Sequence, residues 1–240
     1  MTTSPAAPAL DTAFFTAWIT RAAAAIEADR VRLTELDAAI GDGDHGTNLD
    51  RGFAGVMRVL DTTSPRTPAT VLSLTGTTLI SKVGGASGPL YGTAFRRAGS
   101  ALGDTPETDL PGLAAALDAA LAAIRKLGAA RDGDKTMVDA LAPAVAALND
   151  AASKATPLLD ALSAMVDAAR AGAEATIPMQ ASKGRASYLG PRSIGHEDPG
   201  AASTVVILTA LLDAAIAAAS DGHSAASGGP TDGREEPSGD

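Results

Sequence analysis

Between Asp37 and Asn48 the chain reads Asp-Ala-Ala-Ile-Gly-Asp-Gly-Asp-His-Gly-Thr-Asn, which gathers three carboxylates, three glycines and a histidine. Glycine beside aspartate is first of all a turn signal, because Gly supplies positive φ and Asp bonds its own backbone. Carboxylates at 37, 42 and 44 have a second use. Acids repel phosphate, so they can approach a polyphosphate only across a bridging divalent cation. Mg²⁺ typically takes a few carboxylates together with phosphate oxygens and water, and two such ions could share Asp37, Asp42 and Asp44. The chain has no cysteine, which excludes thiolate metal sites and disulfides and leaves a hard cation held by oxygen.

Three further glycine-bearing loops supply the complementary half: Gly84 to Pro89, Gly133 to Met137, and Gly184 to Gly200. Each is expected at a helix start, where unpaired N–H groups and the positive end of the helix dipole favour an anion. Several such loops on one chain point to a polyphosphate ligand. Gly41-x-Gly43-x-x-Gly46 matches a dinucleotide fingerprint by letters only, because that motif needs a preceding strand and here a helical pattern precedes it. No Gly-Lys-Ser/Thr triplet exists for a Walker A loop. An EF-hand counted from Asp42 would end on Phe53 instead of a glutamate.

Single residues are less determined. His45 could ligate metal, contact phosphate or ribose, or be structural, with phosphate or ribose contact favoured. His196 is equally open. Lys135 and Arg185 are the cations best placed to offset phosphate charge. Met137 could pack on a base or simply fill the core. No nucleophile and base pair stands out, so no catalytic residue is assigned. Phosphoryl transfer depends mainly on positioning and charge neutralisation.

The elements that must position these loops are helical. Of the 240 residues 45% are hydrophobic but only 3% aromatic, so the core is built from alanine and aliphatic residues, and alanine is the strongest helix former. Apolar periodicity predicts eight helices, near 11–40, 46–60, 68–83, 89–102, 110–128, 136–148, 157–175 and 203–219. Pro143 is expected to bend the sixth. The polar segment 176–202 is too long for an idle connection and reads as a functional loop or lid. Short connections favour antiparallel neighbours in an all-α bundle or closed helical barrel. Residues 1–10 are expected to be a flexible arm, 11–219 one folded nucleotide-binding domain, and 220–240 a disordered tail rich in Gly, Ser, Pro and acid. A net charge of −9 argues against nucleic acid as a partner. Met1 to Ala9 has no secretory pattern, and the apolar run Val205 to Ala219 is short of the roughly 20 residues a bilayer needs. The chain reads as cytoplasmic, with no membrane partner.

Four blocks then become recognisable: residues 40–53, 84–93, 133–137 and 184–201. In order and spacing they resemble the L subunit of dihydroxyacetone kinase, over about residues 11–219. The resemblance implies an eight-helix antiparallel barrel with ADP or ATP tightly bound at one end beside two Mg²⁺ ions. It implies Asp37, Asp42 and Asp44 as metal ligands. Nucleotide contacts map onto His45, Gly46, Thr47, Asn48, Ala86, Ser87, Gly128, Met137, Arg185, Asp198, Pro199 and Gly200. It also implies a separate K subunit that holds dihydroxyacetone, and a phosphohistidine-bearing M-type subunit of the phosphotransferase system that recharges ADP in place. A homodimer, or a hetero-oligomer with the K subunit, is expected. Alternatives are an ATP-exchanging kinase subunit for another small ketose or carrier-bound acceptor, and a nucleotide-sensing regulator that binds a transcription factor. One departure is Pro191, where the family often carries glutamate in Gly-Glu-Arg-Ser. It removes a charge and stiffens the expected lid.

Overall fold

The computed structural model describes residues 8–227, with side chains as far as Asp221. Asp11 opens the first helix by accepting the Phe14 N–H at 2.9 Å, and helix α1 runs from Thr12 to Ile40. Helix α2 is His45–Thr63. Thr67 caps helix α3, Pro68–Lys82, with Pro68 in its first turn, where a missing N–H does no harm. Helix α4 is Ser87–Leu102. Asp109 caps α5, Leu110–Gly128, and α6, Met137–Ser153, is continuous through Pro143. Helix α7 is Leu158–Ala175, a 3₁₀ helix spans Arg185–Ser193, and α8 is Pro199–Ser227.

Both boundaries of the last helix differ from expectation. Helix α8 begins before Ser203, because Asp198 accepts the Ala201 N–H at 2.7 Å and Pro199 then starts the first turn. It also continues past Ala219 to Ser227. The rest of the expected tail, 228–240, and residues 1–7 of the expected arm lie outside the described residues. The end of that arm is tied down: Leu10–Asp11 (β1) pairs antiparallel with Glu107–Thr108 (β2), and Leu10 is buried.

Each helix packs on its successor, and α8 returns to α1, so the eight α-helices close a ring. All four phenylalanines and the single tryptophan form one chain of ring contacts inside it, edge-to-face at Phe14–Phe15, Phe15–Trp18 and Phe53–Phe95 and tilted at Trp18–Phe95, with centroids 5.6–6.5 Å apart. Such pairs add about 0.5–1.5 kcal/mol beyond their buried area. The Trp18 indole N–H donates to the Ile207 carbonyl at 3.0 Å, which fastens α1 to α8 where the ring closes. Elsewhere alanine and glycine set the spacing. Gly76 and Gly92 sit where α3 and α4 cross, each against the carbonyl of the other, so any side chain there would push the two helices apart. By length and composition Pro199–Asp221 could cross a membrane. Here it is a core helix, with Ala202, Ile207, Leu208 and Leu211 buried in the ring.

The up-and-down order carries the ends of α1, α3, α5 and α7 and the starts of α2, α4, α6 and α8 to one pole. Every glycine-bearing loop singled out above lies there.

Candidate nucleotide and metal site

That pole holds a cleft of about 730 Å³, within the range of about 300–1,000 Å³ usual for small-molecule sites. Asp37, Asp42, Asp44 and His45 line one side, Gly84 to Ser87 and Gly128 the next, and Lys135 to Val138, Ser182 to Tyr188 and Asp198 to Gly200 the remainder.

The acid side is built around Asp37, in the last turn of α1. Its Oδ2 accepts the N–H groups of Asp44 (2.8 Å) and His45 (3.1 Å), so one carboxylate folds the loop back and caps α2 from outside. Gly43 turns the chain with φ +73°. Ligand oxygens of Asp37, Asp42 and Asp44 then lie within 4.8 Å of one another, with Asp42 and Asp44 exposed. Arg185 reaches in from the 3₁₀ helix, its Nη2 3.1 Å from Asp42 Oδ2. A trio of carboxylates with no sulfur fits a hard divalent cation.

The other helix starts differ in what satisfies them. Helix α6 carries a capping box: Thr136 accepts from Val138 N, and Asp139 accepts from Thr136 N and Gly133 N. Asp198 serves α8. No side chain caps α4. Its first turn, behind Gly85 at φ +65° with open space around it, is the start most available to an anion.

Lys135 is not a phosphate ligand in this arrangement. The residue is 1% exposed, and its ammonium donates to the carbonyls of Thr176 (2.5 Å) and His196. Burial lowers its pKa, opposed by Asp198 and Asp139. The residue is a staple that fixes the stem of segment 176–198. Gly195 N to Ile177 O at 2.8 Å pinches the same stem, and Ser193 Oγ accepts from Ala181 N at 2.9 Å. Ser182 Oγ donates to Asp134 Oδ1 at 2.5 Å, and Arg32 meets Glu197 at 3.5 Å. The segment is a closed loop with a tied base and an exposed tip, where Tyr188 is 88% exposed. Pro191 follows a kink at Gly190 (φ 56°) and accepts the Ile194 N–H. The His196 ring is exposed.

Of the residues expected to touch nucleotide, His45, Ala86, Ser87, Gly128, Met137, Arg185, Asp198, Pro199 and Gly200 line the cleft. Gly46, Thr47 and Asn48 do not. Gly46 presses α2 onto α1, where a side chain would drive into the Arg30 carbonyl. Asn48 is buried, accepts from Arg51 at 2.6 Å and lies beneath Gly84. Thr47 is exposed outside the wall. Met137 is buried at the start of α6 and faces both cleft and core. His45 is buried between two hydroxyls, Nδ1 3.0 Å from Ser87 Oγ and Nε2 2.8 Å from Ser203 Oγ. Burial lowers its pKa against the pull of Asp37 and Asp44, whereas burial pushes the Asp198 carboxyl up to about 7. Sequence reasoning missed Tyr91, Ser203 and Thr204. The available signal was a pair of hydroxyls at the start of an otherwise apolar helix.

Fold and site together define a class: a closed all-α barrel with an acid-floored cleft ringed by helix starts at one pole. Comparison with known proteins agrees. The model of the DAK2 domain matches residues 39–213, and this chain belongs to that family. It is 44% identical, over 207 residues covering 85% of this chain and 95% of the relative, to "PEP-dependent dihydroxyacetone kinase 2, ADP-binding subunit DhaL" of Listeria innocua. Over 198 residues, 82% of this chain and 94% of the relative, it is 42% identical to "PEP-dependent dihydroxyacetone kinase, ADP-binding subunit DhaL" of Escherichia coli. The crystal structure of the dihydroxyacetone kinase from C. freundii in complex with AMP-PNP and Mg²⁺ superposes with a TM-score of 0.66 at 29% identity, covering 89% of this chain. This chain spans only 36% of that longer enzyme.

Proposed function

We propose that this chain is the ADP-binding, phosphoryl-donor subunit of a phosphoenolpyruvate-dependent dihydroxyacetone kinase, a cytoplasmic phosphotransferase. The observation that carries this reading is the convergence, across one cleft, of three carboxylates with the uncapped start of α4. Asp37, Asp42 and Asp44 would hold Mg²⁺, and the amides before Ser87 with Arg185 would hold the phosphates. Metal supplies charge neutralisation on the phosphate oxygens. The protein contributes position: Asp37 fixes the loop through two backbone N–H groups, and the tied loop 176–198 roofs the cleft. The γ-phosphorus to β-oxygen bond breaks as a bond forms to a hydroxyl of dihydroxyacetone held on a separate K subunit. ADP stays in place and receives its next phosphoryl group from a phosphohistidine of an M-type subunit. The acceptor's proton would leave to a group on the K subunit.

The relatives' shared description and the near-complete coverage of their length support this assignment. The test is direct. Protein purified with Mg²⁺ should release adenine nucleotide on denaturation, read by mass spectrometry, and should bind ADP in calorimetry once stripped. Absence of both would end the proposal. With the K subunit added, phosphate drawn from phosphoenolpyruvate through the carrier chain is the expected outcome. Turnover on free ATP alone would instead place the chain among ATP-exchanging kinase subunits.

A further inference from the structure

A four-residue strap, Ser182-Lys183-Gly184-Arg185, runs from the loop before α6 to the acid loop, and all four residues line the cleft. Its first residue is pinned. Ser182 N donates to the Asp134 carbonyl at 3.2 Å and Ser182 Oγ to Asp134 Oδ1 at 2.5 Å. Asp134 is itself held, because its Oδ2 accepts the Arg131 N–H at 2.8 Å. Gly184 turns the chain at φ +60°, and its carbonyl accepts the N–H and the hydroxyl of Ser187 at 3.3 and 2.7 Å. The backbone is thus fixed on both sides of Arg185. Its side chain is 69% exposed, so the guanidinium can turn while its base stays in place.

That guanidinium stands on the acid loop, Nη2 3.1 Å from Asp42 Oδ2, and among the described residues it is the one cation paired with any of the three carboxylates. Asp37 already commits Oδ2 to two backbone N–H groups, so Asp42 and Asp44 carry most of the uncommitted oxygens. A divalent cation entering alone must therefore displace a positive charge from one ligand oxygen and then sit beside it. Nucleotide alters the balance. Phosphate offers the fork of an arginine a two-pronged partner, and a phosphate that shares a cation with Asp42 lies within reach of the same side chain.

We infer that Arg185 is the counter-ion of the nucleotide-free acid loop, held on Asp42 until phosphate draws it off, so that nucleotide frees the oxygen the divalent cation needs and the two ligands bind as a pair. Removing the guanidinium then has opposite effects on the two ligands: it helps a cation that arrives alone and harms ADP. A residue that only contacted phosphate would weaken ADP and leave the bare cation untouched. The handover to phosphate rests on the nucleotide reading above, but the pairing with Asp42 does not.

The first measurement is a titration of nucleotide-stripped protein with Mn²⁺ alone, free ion read by electron paramagnetic resonance. Arg185→Gln should bind Mn²⁺ about two- to fivefold more tightly than the parent, the size of an exposed ion pair, and the gap should narrow as salt screens the pair. Lys183→Gln removes the same charge from the strap without an ion pair to the acid loop, and should tighten Mn²⁺ less. Unchanged or weaker binding in Arg185→Gln, or an equal gain in both variants, overturns the pairing. Calorimetry with ADP follows. Arg185→Gln should lose about tenfold or more in ADP affinity, the size of charge-assisted hydrogen bonds. Linked sites change each other's affinity by one shared factor, so this loss should be two- to fivefold larger with Mg²⁺ present than without it. Equal losses in the two conditions overturn the handover. A parent that binds no ADP would sink the nucleotide reading and the handover together, while the Mn²⁺ titration still decides the pairing.

Discussion

The acid loop and the stem of segment 176–198 face each other across the cleft, and each sets charge beside backbone. They do it at opposite depths. Asp42 and Asp44 are exposed, and the cation beside them, Arg185, is itself largely exposed. Lys135 is buried to 1% exposure, with two carbonyls on its ammonium. An exposed charge keeps its hydration and can exchange water for a ligand, whereas a buried charge must be matched by fixed groups or be neutralised. The difference separates groups that can meet a ligand from those that hold the frame. It also explains why a lysine in a glycine-rich loop beside an anion site can be structural.

That contrast can be broken at either side. The largest effect is expected from Asp42→Asn combined with Asp44→Asn. The amides keep the shape but lose the anionic ligands, so Mg²⁺-dependent ADP affinity should fall on the order of a hundredfold or more, at least the loss seen when supporting groups of a metal site are removed. The thermal midpoint should not fall, because two neighbouring like charges have been relieved. Retained affinity would remove the acid loop from the ligand site. Lys135→Met should act the other way round. With the Thr176 and His196 carbonyls left unpaired, stability in urea should drop by about 2–4 kcal/mol, while Mg²⁺ affinity changes far less than in the acid variants. A variant as stable as the parent would show that the stem does not need its staple.

The smallest effect is a pH slope at Asp198. Its carboxyl is pushed by burial from 3.8 to about 7 in the folded chain. Between those values the folded state holds a proton that the unfolded state has lost. Its stabilising contribution is therefore complete below the unfolded value and is lost as pH rises through about 7. The urea midpoint of the parent, relative to Asp198→Asn, should fall between pH 5 and pH 8. A parallel pair of profiles would mean that the carboxylate is ionised throughout.

Much of this arrangement was legible from residue order. The helix starts near 11, 68, 110 and 136 follow from apolar periodicity, and the structure seals them with local bonds, since Asp11, Thr67, Asp109 and Thr136 each cap within three residues. The three aspartates were legible for a local reason too, since one loop brings them together. What failed depended on contacts distant in sequence. Lys135 is buried only because segment 176–198 folds back over it. Gly46 and Asn48 face α1 and Gly84 instead of the cleft. Ser203 was read as the start of α8 when Asp198-Pro199 begins it. Its hydroxyl is instead shared with Tyr91 and His45 from two other helices. The pairing of β1 with β2 involves two residues a side, too short to leave an alternating pattern.

The ring's polarity has a practical corollary. Helix α1 enters at Thr12 and α8 leaves at Ser227, both at the pole away from the cleft. At 1.5 Å per residue each helix of 29 residues separates its outer end from the ligand by about 40 Å. Tags, dyes or tethered domains attached beyond either end would leave the mouth of the cleft clear. A phosphate acceptor joined there would need a linker long enough to travel the full height of the barrel before it could reach the site.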